Sequence, residues 1–115
     1  MRKMALFVFD PEPGCLAHVM LNAFDMRNRG WEVKIVLEGE ATKLVSILRN
    51  ETKPFHDLYR RTLNEGLFDG VCRACATRFG AIQAAIEQNI RPCGEMDGHP
   101  AVGEYLADGW EVLVF

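Results

Sequence analysis

Two cysteines three residues apart, Cys72 and Cys75, carry the most specific chemical signal in the sequence. They stand in Asp69-Gly70-Val71-Cys72-Arg73-Ala74-Cys75-Ala76-Thr77-Arg78-Phe79-Gly80, where an apolar run of strand character passes directly into a helix. A thiol at the first turn of a helix meets free backbone N–H groups and the positive end of the helix dipole, and both favour the thiolate. Cys72 is therefore the expected nucleophile. The same surroundings stabilise a terminal persulfide anion, with Arg73 or Arg78 adding positive charge. Cys75 shares a spacing of four, three and four with Phe79, Ile82 and Ile86, which predicts a buried helical stripe facing a sheet. It is either a packing residue or, beside Cys72, a resolving thiol or second sulfur carrier.

A metal centre would require further donors. Cys93 and His99 extend the pair to Cys72-x2-Cys75-x17-Cys93-x5-His99, a spacing that zinc tolerates. A second Cys pair is missing and Cys75 is expected to face the core, so no metal and no cofactor is assigned. Cys-Arg-Ala-Cys lacks the proline of thioredoxin-like sites, and no Gly-x-x-x-x-Gly-Lys or Gly-x-Gly-x-x-Gly segment supports nucleotide binding. His18 falls with Asn22 and Asp25 on a polar helix face, and His56 has no evident partner. Asp10, Glu12, Glu38 and Glu40 follow strands and are read mainly as turn or helix-start residues that line the same edge.

The elements that must hold these side chains follow from periodicity. Met4 to Phe9 is continuously apolar, as in a central strand of a parallel sheet, and Asp10-Pro11-Glu12-Pro13-Gly14 breaks it. A helix with Leu16, Val19, Met20, Ala23 and Phe24 inward runs to Gly30, and Trp31 to Leu37 forms a second strand. A short helix carries Leu44, Val45, Ile47 and Leu48, and a further helix opens at Pro54 and ends at Glu65-Gly66. The strand Leu67–Cys72 and its helix come next. Asn89–Gly94 is a short edge strand or a loop, Pro100 starts a helix with Val102, Tyr105 and Leu106, and Trp110–Phe115 is the last strand. The expected fold is one α/β domain over residues 1–115, a three-layer α/β/α sandwich around a mainly parallel sheet of about five strands. Its ligand edge lies beyond the carboxyl ends of the strands.

Composition narrows the partners. A net charge of −3 and 13 scattered Lys and Arg residues argue against nucleic acid. The apolar runs are too short for a bilayer, and Met1-Arg2-Lys3 leads into a strand instead of a signal peptide, so a cytoplasmic protein with reduced cysteines and no membrane partner is expected.

Val71-Cys72-Arg73-Ala74-Cys75-Ala76-Thr77-Arg78-Phe79-Gly80, together with the order of elements, resembles the DsrE/DsrF-like proteins, which include sulfur-relay subunits of the TusD type. The similarity extends over the first strand and helix, Val33 to Gly39, the loop Asp97-Gly98-His99-Pro100 and the terminal strand. It implies a DsrEFH-like fold, a persulfide carried on Cys72, sulfur donor and acceptor proteins as partners, and homo-oligomers. Cys75 departs from the relay pattern, which has alanine there. The alternative is a non-catalytic oligomeric module that binds a small ligand or a metal at the loop edge, with structural cysteines.

Overall fold

The run Met4-Ala5-Leu6-Phe7-Val8 shows no polar alternation because both of its faces are covered. In the computed structural model, which describes residues 1–115, β1 (Lys3–Val8) lies inside a five-stranded sheet and Ala5 to Val8 are wholly buried. Around it stand β2 (Glu32–Leu37), β3 (Phe68–Cys72), β4 (Pro92–Cys93) and β5 (Glu111–Val114) in the order β4-β3-β2-β1-β5, all parallel. No helix is long and apolar enough to cross a membrane.

Topology decides which face each helix covers. From β1 to β4 the chain steps always toward the same edge, and right-handed crossovers then put every connection on one face. These are α1 (Pro13–Asn28), a 3₁₀ turn (Gly39–Lys43) with α2 (Leu44–Ile47), α3 (His56–Asn64), α4 (Arg73–Arg78) and α5 (Ile82–Glu87). After β4 the chain returns across the sheet, so α6 (Val102–Ala107) lies on the other face. The result is a three-layer α/β/α sandwich with unequal layers. The first face joins 24 buried residues in one core, whereas the hydrophobic cluster of the second is only Ala5, Phe7 and Val36, packed with Tyr105, Trp110 and Val112. The Tyr105 ring meets Phe7 edge-on at 5.2 Å, and its hydroxyl bonds to Asp69.

α1 starts where the sequence signals it: Pro13 occupies the first turn and the Glu12 carboxylate accepts from the Gly14 N–H. Three expectations are corrected. The helix after the polar break opens at His56, not at Pro54, because Phe55 takes a left-handed conformation at its start. The helix after Cys72 is not continuous. Gly80, with φ of 73°, ends α4, and the Ala81 N–H turns back to the Ala76 carbonyl before α5 begins. The stripe through Cys75, Phe79, Ile82 and Ile86 therefore does not face the sheet as a unit: Ile82 alone of the four packs against the main core, half-buried. Ala76, Ala81, Ala84 and Ala85 are buried, while Cys75 and Phe79 are half-buried and Ile86 is half-exposed. β4 exists as a two-residue edge strand, where Pro92 forfeits one amide of the ladder.

Candidate functional site

Register brings three ionisable side chains to neighbouring strand ends. Leu37 pairs with Val71 and Cys72 with Cys93, so one step beyond Leu37 the residues Glu38, Cys72 and Cys93 stand abreast at the carboxyl ends of β2, β3 and β4. All three are buried. Val71 belongs to the main core, and strand alternation turns Cys72 away from it. Cys72 also caps α4: its sulfur accepts the Cys75 N–H at 3.4 Å.

The fourth participant arrives by a tight turn. Asp97 and Gly98 both have positive φ, 50° and 91°, as a type I′ turn requires, and Met96 and His99 exchange both backbone hydrogen bonds at 2.9 Å. The Gly98 carbonyl accepts the Ala74 N–H at 2.9 Å, which fastens the turn to the start of α4. His99 is thereby held with Nδ1 3.1 Å from the Cys72 sulfur. Cys75 completes the group: the Cys72 and Cys75 sulfurs and a His99 nitrogen lie within 4.8 Å of one another. Gly98→Ala, which forces a side chain into this conformation 3.3 Å from the Ala74 methyl, is expected to cost about 1 kcal/mol in urea unfolding and to slow any reaction that needs His99.

Burial outweighs the helix start at Cys72. The expected low-pKa thiolate is corrected: loss of water pushes the thiol up to about 12, a rise that the Cys75 N–H opposes and the Cys75 thiol and Glu38 carboxylate reinforce. α4 has only six residues, and one N–H at 3.4 Å does not replace hydration. Cys93 is likewise raised, to about 11, chiefly by burial. Glu38, 8% exposed, is raised by burial to about 7. The resting site is thus a neutral thiol beside an imidazole.

The remaining sequence candidates divide plainly. Arg73 is exposed, with its guanidinium against Gly94, where an added Cβ would stand 2.5 Å from its central carbon; it lies at the rim of the site. Cys93 points elsewhere, toward the Arg91 carbonyl at 3.7 Å, and does not join the Cys72 group. Asp10, Glu12 and Glu40 are exposed; Asp10 accepts the Glu12 N–H and Glu12 caps α1. His18 is exposed, whereas His56 finds the Leu48 carbonyl at 2.8 Å. Glu38 was the understated residue: a carboxylate that directly ends an apolar run was the signal. The largest surface depression, about 840 Å³, lies away from the thiols, among Lys3, Trp31, Glu32, Asp108 and Trp110 at the amino ends of the strands. Cys72 itself is wholly buried, whereas Cys75 and His99 are half-buried.

Fold and site together define a small parallel α/β protein with one buried and one half-buried thiol and an imidazole at the carboxyl edge of its sheet. No family model matches the chain. An uncharacterized protein of Methanocaldococcus jannaschii is 27% identical over 117 residues, spanning 96% of this chain and 93% of that protein. An uncharacterized protein of Archaeoglobus fulgidus is 37% identical over 41 residues, 36% of this chain and 67% of the relative, and the chain belongs to the same sequence family as that protein. Among solved structures, a conserved protein of unknown function from Bacteroides thetaiotaomicron shares the fold with a TM-score of 0.68 at 20% identity, covering 98% of this chain and 94% of that one.

Proposed function

We propose that the protein is an intracellular sulfur carrier in which Cys72 holds sulfane sulfur as a persulfide, as the DsrE-like resemblance implies. The observation that carries this reading is the 3.1 Å contact between the Cys72 sulfur and His99 Nδ1. A buried neutral thiol is inert, so its proton must leave when a donor arrives. His99 takes that proton, and the thiolate attacks the outer sulfur of a donor persulfide, R–S–SH. The bond between the donor's two sulfurs breaks, Cys72 gains the outer sulfur, and the donor departs as a thiolate that is reprotonated to R–SH. An acceptor thiolate then removes the same sulfur and returns Cys72 as thiolate. Cys75, within 4.8 Å and more accessible, is placed to receive the sulfur first or to pass it outward. Arg73 stands at the rim, where its positive charge favours the thiolate that departs.

Donor and acceptor are taken to be proteins of the cytoplasm. We place a homo-oligomer contact at the β5 edge, where Leu113, Val114, Phe115, Phe9 and Leu106 are exposed.

Mass spectrometry after incubation with a small-molecule persulfide tests the reading. Wild type is expected to gain the mass of one sulfur on Cys72, Cys72→Ser to gain none there, and His99→Gln to load at least about tenfold more slowly. Uptake as fast in Cys72→Ser as in wild type overturns it.

A further inference from the structure

We propose that Cys72, Cys75 and His99 form a binding site for one divalent thiophilic metal ion, zinc foremost, with two thiolates and one imidazole as ligands and a fourth position open. The donor atoms already lie within 4.8 Å of one another, with 3.1 Å between the Cys72 sulfur and His99 Nδ1. Tetrahedral zinc with its usual bond lengths sets sulfur–sulfur edges of roughly 3.8 Å and sulfur–nitrogen edges of roughly 3.6 Å. Adjustments of about half an ångström to an ångström therefore bring the donors to bonding geometry, a shift that side-chain rotation supplies.

Backbone structure positions each donor. Cys72 closes a central run of β3, Cys75 follows within the first turn of α4, and His99 is fixed by the reciprocal Met96–His99 bonds and the Ala74–Gly98 bond. The Cys75 N–H aimed at the Cys72 sulfur is the kind of second-layer donor that supports a ligating thiolate. Charge selects the ion. Two thiolates and a neutral imidazole cancel a divalent cation, so the occupied site buries no net charge, whereas either thiolate alone would be costly in this surrounding. Metal binding itself removes the thiol protons. Sulfur and imidazole donors favour zinc over magnesium or calcium. Cys93, turned toward the Arg91 carbonyl, takes no part.

The site shares its thiols with the proposed sulfur transfer but does not depend on it: metal binding needs all three donors, and a persulfide needs Cys72. Reduced protein freed of metal by a chelator is titrated with Zn²⁺ alone and followed by native mass spectrometry, with Co²⁺ as a spectroscopic probe. The expected result is one ion per chain, release of about two protons on binding, and sulfur-to-cobalt charge-transfer bands. Cys75→Ser and His99→Ala are expected each to weaken Zn²⁺ by at least the roughly 10–100-fold typical of losing even an outer-layer partner. Cys15→Ser and Cys93→Ser bind as wild type.

Absence of one-to-one binding overturns the proposal, as does binding that survives the Cys75→Ser/His99→Ala double variant. If a variant fails to fold, alkylation of the wild type decides. Zinc protection of both Cys72 and Cys75 supports the site, and equal alkylation with and without zinc overturns it. Persulfide uptake measured with chelator present keeps the two ideas apart: uptake without zinc binding sinks the metal site alone, and zinc binding without uptake sinks sulfur transfer alone.

Discussion

Glu38→Gln raises the stability of the protein at about pH 8 by about 2–3 kcal/mol and changes it little near pH 4. The carboxyl is buried at the end of β2, and burial lifts it from 4.5 to about 7. Between those values the folded chain keeps a proton that the unfolded chain has already lost. Stability therefore falls as pH rises through this window, and the loss is complete above about 7. Glutamine keeps the shape without the charge and removes the slope, although its buried amide gives back part of the gain. Urea unfolding of both proteins across this range checks the prediction. A wild-type-to-variant difference that is the same at both ends of the range would show that Glu38 is ionised and solvated in the folded state.

Gly70→Ala costs about 3 kcal/mol, or prevents β4 from pairing at all. A Cβ on Gly70 would stand 2.6 Å from the Arg91 carbonyl oxygen and collide with the Cys93 sulfur. The first neighbour is backbone, and β4 is held to β3 by two residue pairs only, so relief comes from displacing the strand and, with it, the turn that carries His99. A lowered urea midpoint together with faster alkylation of Cys93 is the expected signature. A Gly70→Ala protein as stable as wild type, with Cys93 still protected, would mean that β4 does not lie over Gly70.

Local patterning made most of the sheet legible in the sequence. Continuous apolar runs marked β1 and the inner half of β2, and the glycines at 30, 66 and 109, all with positive φ, closed their segments where expected. The break between α4 and α5 was not legible because Cys75, Phe79, Ile82 and Ile86 keep helical spacing across it. One left-handed residue at Gly80 rotates the second helix, so that Ala81, Ala84 and Ala85 are buried, Ile82 packs half-buried against the core and Ile86 is left half-exposed. The site was half legible. Cys72 and Cys75 are neighbours in sequence and announced themselves, whereas Glu38 and His99 come from strand ends and turns 34 and 27 residues from Cys72, and only the parallel register and the Asp97-Gly98 turn bring them together. The protonation of Cys72 required knowledge of burial, since local sequence predicts the dipole and tertiary packing supplies the opposing desolvation.

The two-residue β4 has a dynamic consequence. Cys72 belongs to β3, and the β3 amides that bond to β2 are expected to exchange with solvent only when the sheet itself unfolds. The arm that carries His99 hangs from the sheet by a proline-interrupted edge and a few turn hydrogen bonds, so its amides exchange through a local opening of much lower free energy. Native-state hydrogen exchange should resolve these as two cooperative units within one small domain. Opening the weaker unit uncovers the buried thiol while the sheet stays folded, which gives a partner a route to Cys72 without a permanent cleft.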